Sequence, residues 1–154
     1  DVWDGLEDEY EVNFGGKVHG GAVMRWIDQA GYACASAWSG CYCVTVYVGG
    51  IQFQRPISIG QLVEVRARVA KTGTTSMHVA VDVRARDVTS DHFERTTHCL
   101  MVFVAVDAAR EPVPVPQFVP GTDAERRLQD YATRILGMRQ AIEAERARLL
   151  ADLD

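Results

Sequence analysis

From Ala22 to about Ser39 the apolar residues Val23, Trp26, Ile27, Ala30 and Cys34 recur at helical spacing. Between them lie the small residues Gly31, Ala33, Ala35 and Ser36. A helix that neighbours can approach closely on several sides belongs in the middle of a fold, and Gly40 is its natural stop. Behind it the apolar period falls to two. Cys41 to Val48 is a β-branched and aromatic run, Arg55-Pro56 breaks the next segment, and Ile59-Gly60 or Gly60-Gln61 supplies a turn. From Gln61 to Ala70, Val63, Val65, Ala67 and Val69 alternate with Glu64, Arg66 and Arg68. After Lys71-Thr72-Gly73 a second alternating strand sets Met77, Val79, Val81, Val83 and Ala85 against Ser76, His78, Asp82, Arg84 and Arg86. The stretch from about His98 to Val106 is apolar throughout, so both its faces are covered. One long helix followed by four antiparallel strands predicts a sheet wrapped around a single buried helix, an α+β fold.

Outside this block the organisation changes. Residues 1–12 hold six acidic residues (Asp1, Asp4, Glu7, Asp8, Glu9, Glu11) and no basic one, with no clean period, and read as an N-terminal arm. Residues 13–110 are the folded domain. A Pro-rich connector, 111–121, carries Pro112, Pro114, Pro116 and Pro120. A final helix, 122–154, opens on a capping box from Thr122 to Glu125. Its apolar stripe of Leu128, Tyr131, Ile135, Met138, Ile142 and Leu149 suits docking on its own sheet or on a partner.

With 154 residues the chain is long enough for one core without disulfides or metals. Four cysteines (Cys34, Cys41, Cys43, Cys99) are too few for a disulfide framework, and the expected compartment is the reducing cytoplasm. No run reaches the roughly 18–20 apolar residues of a membrane span. A net charge of −5 disfavours a nucleic-acid partner. Six basic residues between Arg55 and Arg86 face only Glu64 and Asp82. They form either an ordinary solvated strand face or a surface that steers a phosphorylated ligand.

Two features carry chemistry. Gly20-Gly21 opens the helix and leaves unpaired N–H groups at the positive end of the helix dipole, where an oxyanion or polarised carbonyl is held well. Asp28 stands seven residues past Gly21 in an otherwise apolar helix, and is either a buried catalytic carboxylate or a cap or ion-pair partner on an exposed edge, for instance with Arg25. Cys41-x-Cys43 lacks a second ligand pair, so no metal is expected. His98-Cys99 points to opposite strand faces and makes no nucleophile dyad. His78 is expected on the solvated face.

The run from Val12-Asn13 through Val18-His19-Gly20-Gly21-Ala22-Val23-Met24 to Trp26-Ile27-Asp28 resembles the hot-dog-fold acyl-CoA thioesterases. The similarity is to their brain-type acyl-CoA hydrolases and bacterial broad-range relatives. Val44-Thr45-Val46, Phe53 to Gly60, Thr72 to Ser76 and Phe103 to Asp107 follow in family order. The resemblance implies hydrolysis of acyl-CoA to fatty acid and CoA without a cofactor, part of lipid metabolism, by a homodimer or a trimer of dimers. It implies Asn13 and Asp28 as the catalytic pair, with His19 as an orienting residue and Gly20 and Gly21 as the carbonyl-oxygen donors. Asp28 would act as general base or attack through a mixed anhydride. Arg55, Lys71, Thr74, Thr75 and Ser76 would receive the CoA phosphates or pantetheine. The rival readings are a hot-dog dehydratase, which needs a helix histidine, and a non-catalytic acyl-CoA-binding or structural subunit.

Overall fold

A computed structural model of the protein describes residues 2–6 and 16–153. In chain order the elements are β1 (Val2–Leu6), α1 (Gly20–Ser39), β2 (Tyr42–Phe53), β3 (Leu62–Thr72), β4 (Ser76–Arg86), β5 (Glu94–Val106) and α2 (Asp123–Ala151). The five strands form one antiparallel sheet in the order β1-β3-β4-β5-β2. It wraps around α1 as a hot-dog fold, with α2 laid on the outer face.

α1 is long because its small and apolar residues let it sit on the sheet. Ala22, Val23, Trp26, Ile27, Gly31, Cys34 and Ala35 are buried against the alternate residues of β3, β4 and β5. The closest approach is at Gly31, where a Cβ would lie 2.8 Å from Met101 Sδ and 3.2 Å from the Phe103 ring. Gly40 ends the helix in the left-handed region, φ 69°, donating its N–H to the Ser36 carbonyl at 2.8 Å.

The outer face departs from the expected solvated surface. α2 is capped as the sequence predicts, the Thr122 hydroxyl accepting from Glu125 N–H at 3.1 Å. Its Leu128, Ala132 and Ile135 pack on Ala70, Ala80 and Leu100, which point away from α1. β4 is consequently buried on both sides from Met77 to Val83. His78, expected in solvent, is only 5% exposed, and its Nδ1 has no hydrogen-bond partner among the described residues. Burial, together with the charges of Lys71 and Arg139, lowers its pKa below the ordinary 6.5.

The N-terminal segment also differs from expectation. Val2–Leu6 is no arm but an edge strand paired with β3, Trp3 opposite Val65 and Leu6 opposite Leu62. Asp4 and Gly5 give this run poor strand propensity. The free hydrogen-bonding edge of β3 supplies the ladder that local preference does not, and edge strands tolerate charge.

Two outcomes test this packing. Gly31→Val overfills the contact with Met101 and Phe103 and should lower stability by about 1–3 kcal/mol in urea unfolding. An unchanged midpoint would mean that α1 is not seated at this depth. For His78, the unfolded chain takes up a proton that the folded chain resists. Stability is therefore full above pH 6.5 and declines as the pH drops below it. His78→Leu should remove that part of the decline between pH 8 and 5.5, whereas an identical pH profile would place His78 in solvent.

Candidate active site

The loop before α1 is anchored from beneath. Val18 N–H donates to the Ile57 carbonyl at 2.8 Å, Ile59 N–H to the Gly16 carbonyl at 3.1 Å, and Lys17 Nζ to Ser58 Oγ at 2.7 Å. Gly16 adopts φ 70°, a left-handed conformation that a side chain would strain. This pairing delivers the chain to His19, whose extended backbone (φ −65°, ψ 141°) makes it the N-cap residue, without a side-chain capping bond.

The His19 carbonyl accepts from Ala22 N–H at 3.0 Å and Val23 N–H at 3.3 Å. The N–H groups of Gly20 and Gly21 have no acceptor among the described residues. A Cβ on Gly21 would meet nothing within 4 Å, and one on Gly20 only the Phe53 ring at 3.5 Å. Gly20 thus borders a cleft of about 390 Å³ with Val18, Val23, Phe53, Arg55 and Ile57, and Gly21 follows it exposed. Preorganised donors at a helix N-terminus suit a carbonyl oxygen that gains negative charge.

Asp28 lies two turns further on, but not where a buried carboxylate was expected. It is exposed, and it has no hydrogen-bond or ion-pair partner among the described residues, Arg25 included. It sits on one stripe with Met24 and Tyr32, on a face of α1 that the sheet does not cover. Tyr32 lines a groove of about 460 Å³ with Tyr42, Cys43 and Val44 of the edge strand β2. That edge carries a row of exposed apolar side chains, Tyr42, Val44, Val46, Val48 and Phe53. Thr45 is exposed there too, opposite Phe103 in the ladder. Directly paired residues point to the same side, and Phe103 packs against α1, so Thr45 shares the helix face of the sheet with Asp28.

The remaining expected residues scatter. Asn13 lies outside the described residues. Arg55 borders the glycine cleft, but its guanidinium is engaged with Glu94 at 2.6 Å. Lys71 near the end of β3, Thr74 and Thr75 in the following turn and Ser76 at the start of β4 lie at one end of the sheet. There the Thr74 and Thr75 carbonyls accept from Val115 and Ala105 N–H. Ser76 is level with Val104, whereas Phe53 is level with Thr97. The turn is therefore seven positions along β5 from the glycine cleft, roughly 23 Å. One protomer does not bring these two groups together. Of the basic residues along the strands, Arg84 pairs with Glu64 at 3.1 Å, Arg68 lies 3.6 Å from Asp82, and Arg86 lies against Phe93 and the Ser90 carbonyl. Among the described residues no three His, Cys, Asp or Glu side chains converge as metal ligands would.

Comparison with known proteins places this geometry. The acyl-CoA thioester hydrolase YciA of Salmonella typhimurium is 34% identical over 109 residues, covering 69% of this chain and 82% of the relative. An acyl-CoA hydrolase from Staphylococcus aureus, solved with butyryl coenzyme A, coenzyme A and coenzyme A disulfide, superposes with a TM-score of 0.90. It is 27% identical and covers 99% of this chain and 93% of its own. A hexameric thioesterase from Yersinia pestis matches with a TM-score of 0.69 and 30% identity, over 75% of this chain and 93% of its own. The model of the thioesterase superfamily matches residues 15–91, which hold the glycine pair, Asp28 and the edge strand. With its fold, its helix N-terminus and its relatives in agreement, this chain belongs to the thioesterase superfamily.

Proposed function

We propose that the protein hydrolyses acyl-CoA, with water, to a carboxylic acid and free CoA, at a site completed by a second copy of the chain. The carrying observation is a pair of unpartnered groups on one exposed face of α1, the Gly20-Gly21 donors and the Asp28 carboxylate. Relatives named as acyl-CoA hydrolases support the reaction.

The geometry within one helix argues for two copies. Seven residues of helix rise by about 10 Å. A thioester whose oxygen rests on Gly21 N–H is therefore out of reach of Asp28 of the same chain. Two-fold pairing along β2 would cover its exposed apolar edge and extend the sheet. It would also set the two α1 helices side by side, so that Gly21 of one copy meets Asp28 of the other. An antiparallel β2–β2 ladder further turns the Thr74–Ser76 end of one copy towards the glycine cleft of the other, within reach of a pantetheine arm. Hexameric relatives fit a trimer of such pairs.

In this arrangement Gly21 N–H, with Gly20, holds the carbonyl oxygen as it becomes an oxyanion. Asp28 takes a proton from the attacking water, or itself attacks to give a mixed anhydride that water then opens. Collapse of the tetrahedral species breaks the C–S bond, and CoA leaves as a thiolate that is then protonated. Asn13 orients the water or carbonyl, and His19 braces the loop. Structures of the Staphylococcus aureus enzyme were solved with an aspartate, an asparagine and a threonine separately replaced by alanine. That aspartate follows the asparagine by 15 positions, and the threonine follows the aspartate by 17. Asn13, Asp28 and Thr45 repeat both intervals (28 − 13 and 45 − 28), which adds Thr45 to the site as a hydroxyl beside Asp28.

Free CoA released from a panel of acyl-CoAs, read with a thiol reagent, tests the reaction. Release is expected for at least one chain length, and silence across the panel would favour a non-catalytic binder. Asp28→Ala should cut kcat by a hundredfold or more with an unchanged unfolding midpoint, because the side chain is exposed in the protomer. A loss of less than about tenfold, ~1.4 kcal/mol, would remove Asp28 from the chemistry. Thr45→Ala should lower kcat/KM while Thr45→Ser retains most of it. Equal losses in both variants would assign Thr45 to packing.

A further inference from the structure

The loop that delivers Gly20 and Gly21 lies outside the strand ladders and takes its position from residues 57–61, between β2 and β3. Lys17 and Ser58 form an isolated antiparallel bridge, flanked by the bonds from Val18 N–H to the Ile57 carbonyl and from Ile59 N–H to the Gly16 carbonyl. Ser58 is held through three of its groups. Its hydroxyl accepts from Lys17 Nζ at 2.7 Å and its carbonyl from Gln61 N–H at 3.2 Å, while its own N–H donates to Gln61 Oε1 at 2.9 Å. The glycine loop therefore stands where the turn at 57–61 stands.

That turn is tied to the sheet by Ile57, which is buried in the core, and by a side-chain bond at the end of a ladder. β3 and β4 pair as far as Leu62 opposite Arg86, so Gln61 and Asp87 follow as the next rung, beyond the last backbone pair. There Gln61 Nε2 donates to Asp87 Oδ1 at 3.3 Å. Asp87 is itself braced, its carbonyl accepting from Ser90 N–H at 3.0 Å and from an Arg86 terminal nitrogen at 3.3 Å. The Gln61 amide uses its oxygen on Ser58 and its nitrogen on Asp87, and the reverse orientation would satisfy neither, because a carboxylate offers no donor and a backbone N–H no acceptor. Asp87 is exposed, so the bond adds little to global stability and acts through placement. Placement is what an oxyanion donor depends on, since a shift of a few tenths of an ångström takes it off the developing charge.

We propose that Gln61 is a positioning residue, an amide strut that carries the position of Asp87 at the end of β4 through Ser58 and Lys17 to the Gly20-Gly21 donors. Its effect on turnover rests on the hydrolase reading, whereas its effect on the loop does not.

The experiment has a kinetic arm and a relaxation arm on the full chain. Gln61→Leu removes both bonds of the amide. It should lower kcat for an acyl-CoA about tenfold with KM within about twofold, and leave the unfolding midpoint near that of wild type. Gln61→Glu sets a second carboxylate against Asp87 and should lose activity likewise. Combined with Asp87→Asn it regains the bond with donor and acceptor exchanged, and kcat should return to within about threefold of wild type, a rescue that loss of packing would not give. In the relaxation arm, NMR order parameters of the Gly20 and Gly21 amides should fall in Gln61→Leu while those of Val23 and Ile27 stay fixed. Wild-type kcat in Gln61→Leu, or no recovery in the combined variant, overturns the positioning role. If wild type releases CoA from no acyl-CoA, the hydrolase reading fails and the relaxation arm still decides the strut. Unchanged order parameters at Gly20 and Gly21 overturn the proposal in either case.

Discussion

The seating of α1 on the inner face of the sheet governs everything else in this protein. Gly31 lets the helix settle against Met101 and Phe103, and that depth buries Val23, Trp26, Ile27 and Cys34 on one side. A single helix cannot also fill the far side of the sheet's curve. Asp28 is left exposed one turn before Tyr32, which lines a groove, and β2 is left as an edge lined with Tyr42, Val44, Val46 and Val48. An exposed apolar edge is a liability in a monomer and an interface in a pair. In the proposed pair, the packing that stabilises the protomer also leaves the surface on which a second copy would complete the site.

The glycine pair gains its chemistry from the same arrangement. Gly16 and the hydrogen bonds to Ile57 and Ser58 fix where the loop turns into the helix. The first N–H groups of any helix lack internal acceptors. Here they also lack the side chains that would hide them, Gly20 bordering a cleft and Gly21 standing exposed. Rigid support beneath an unpartnered donor is what lets it stabilise charge that appears only during reaction.

Much of this was legible in the sequence, for identifiable reasons. The change of period from 3.6 to two at Gly40 marks the passage from α1 to β2, and the capping box at Thr122 marks the start of α2, because both are local signals. What escaped was non-local. Val2–Leu6 is a strand through the edge of β3, some sixty residues away in the chain. His78 and Asp82 alternate with core residues and look solvated until α2, which follows in sequence, covers them. Asp28 looked buried because its helix is apolar, yet an apolar helix can be covered on one side by its own sheet and on another by a second copy.

The central claim is that two copies build one site, and complementation between inactive variants addresses it most directly. Asn13→Ala and Asp28→Ala proteins, each inactive alone, are unfolded together, refolded and assayed for CoA release, with mixed dimers verified by light scattering and mass. If Asn13 and Gly21 of one copy face Asp28 of the other, a mixed dimer holds one intact and one doubly altered site. Random pairing makes about half the dimers mixed, so about a quarter of wild-type activity should return. Activity no higher than that of the separate variants, with mixed dimers present, would mean that each chain builds its own site and that this account of the edge strand and the groove is wrong.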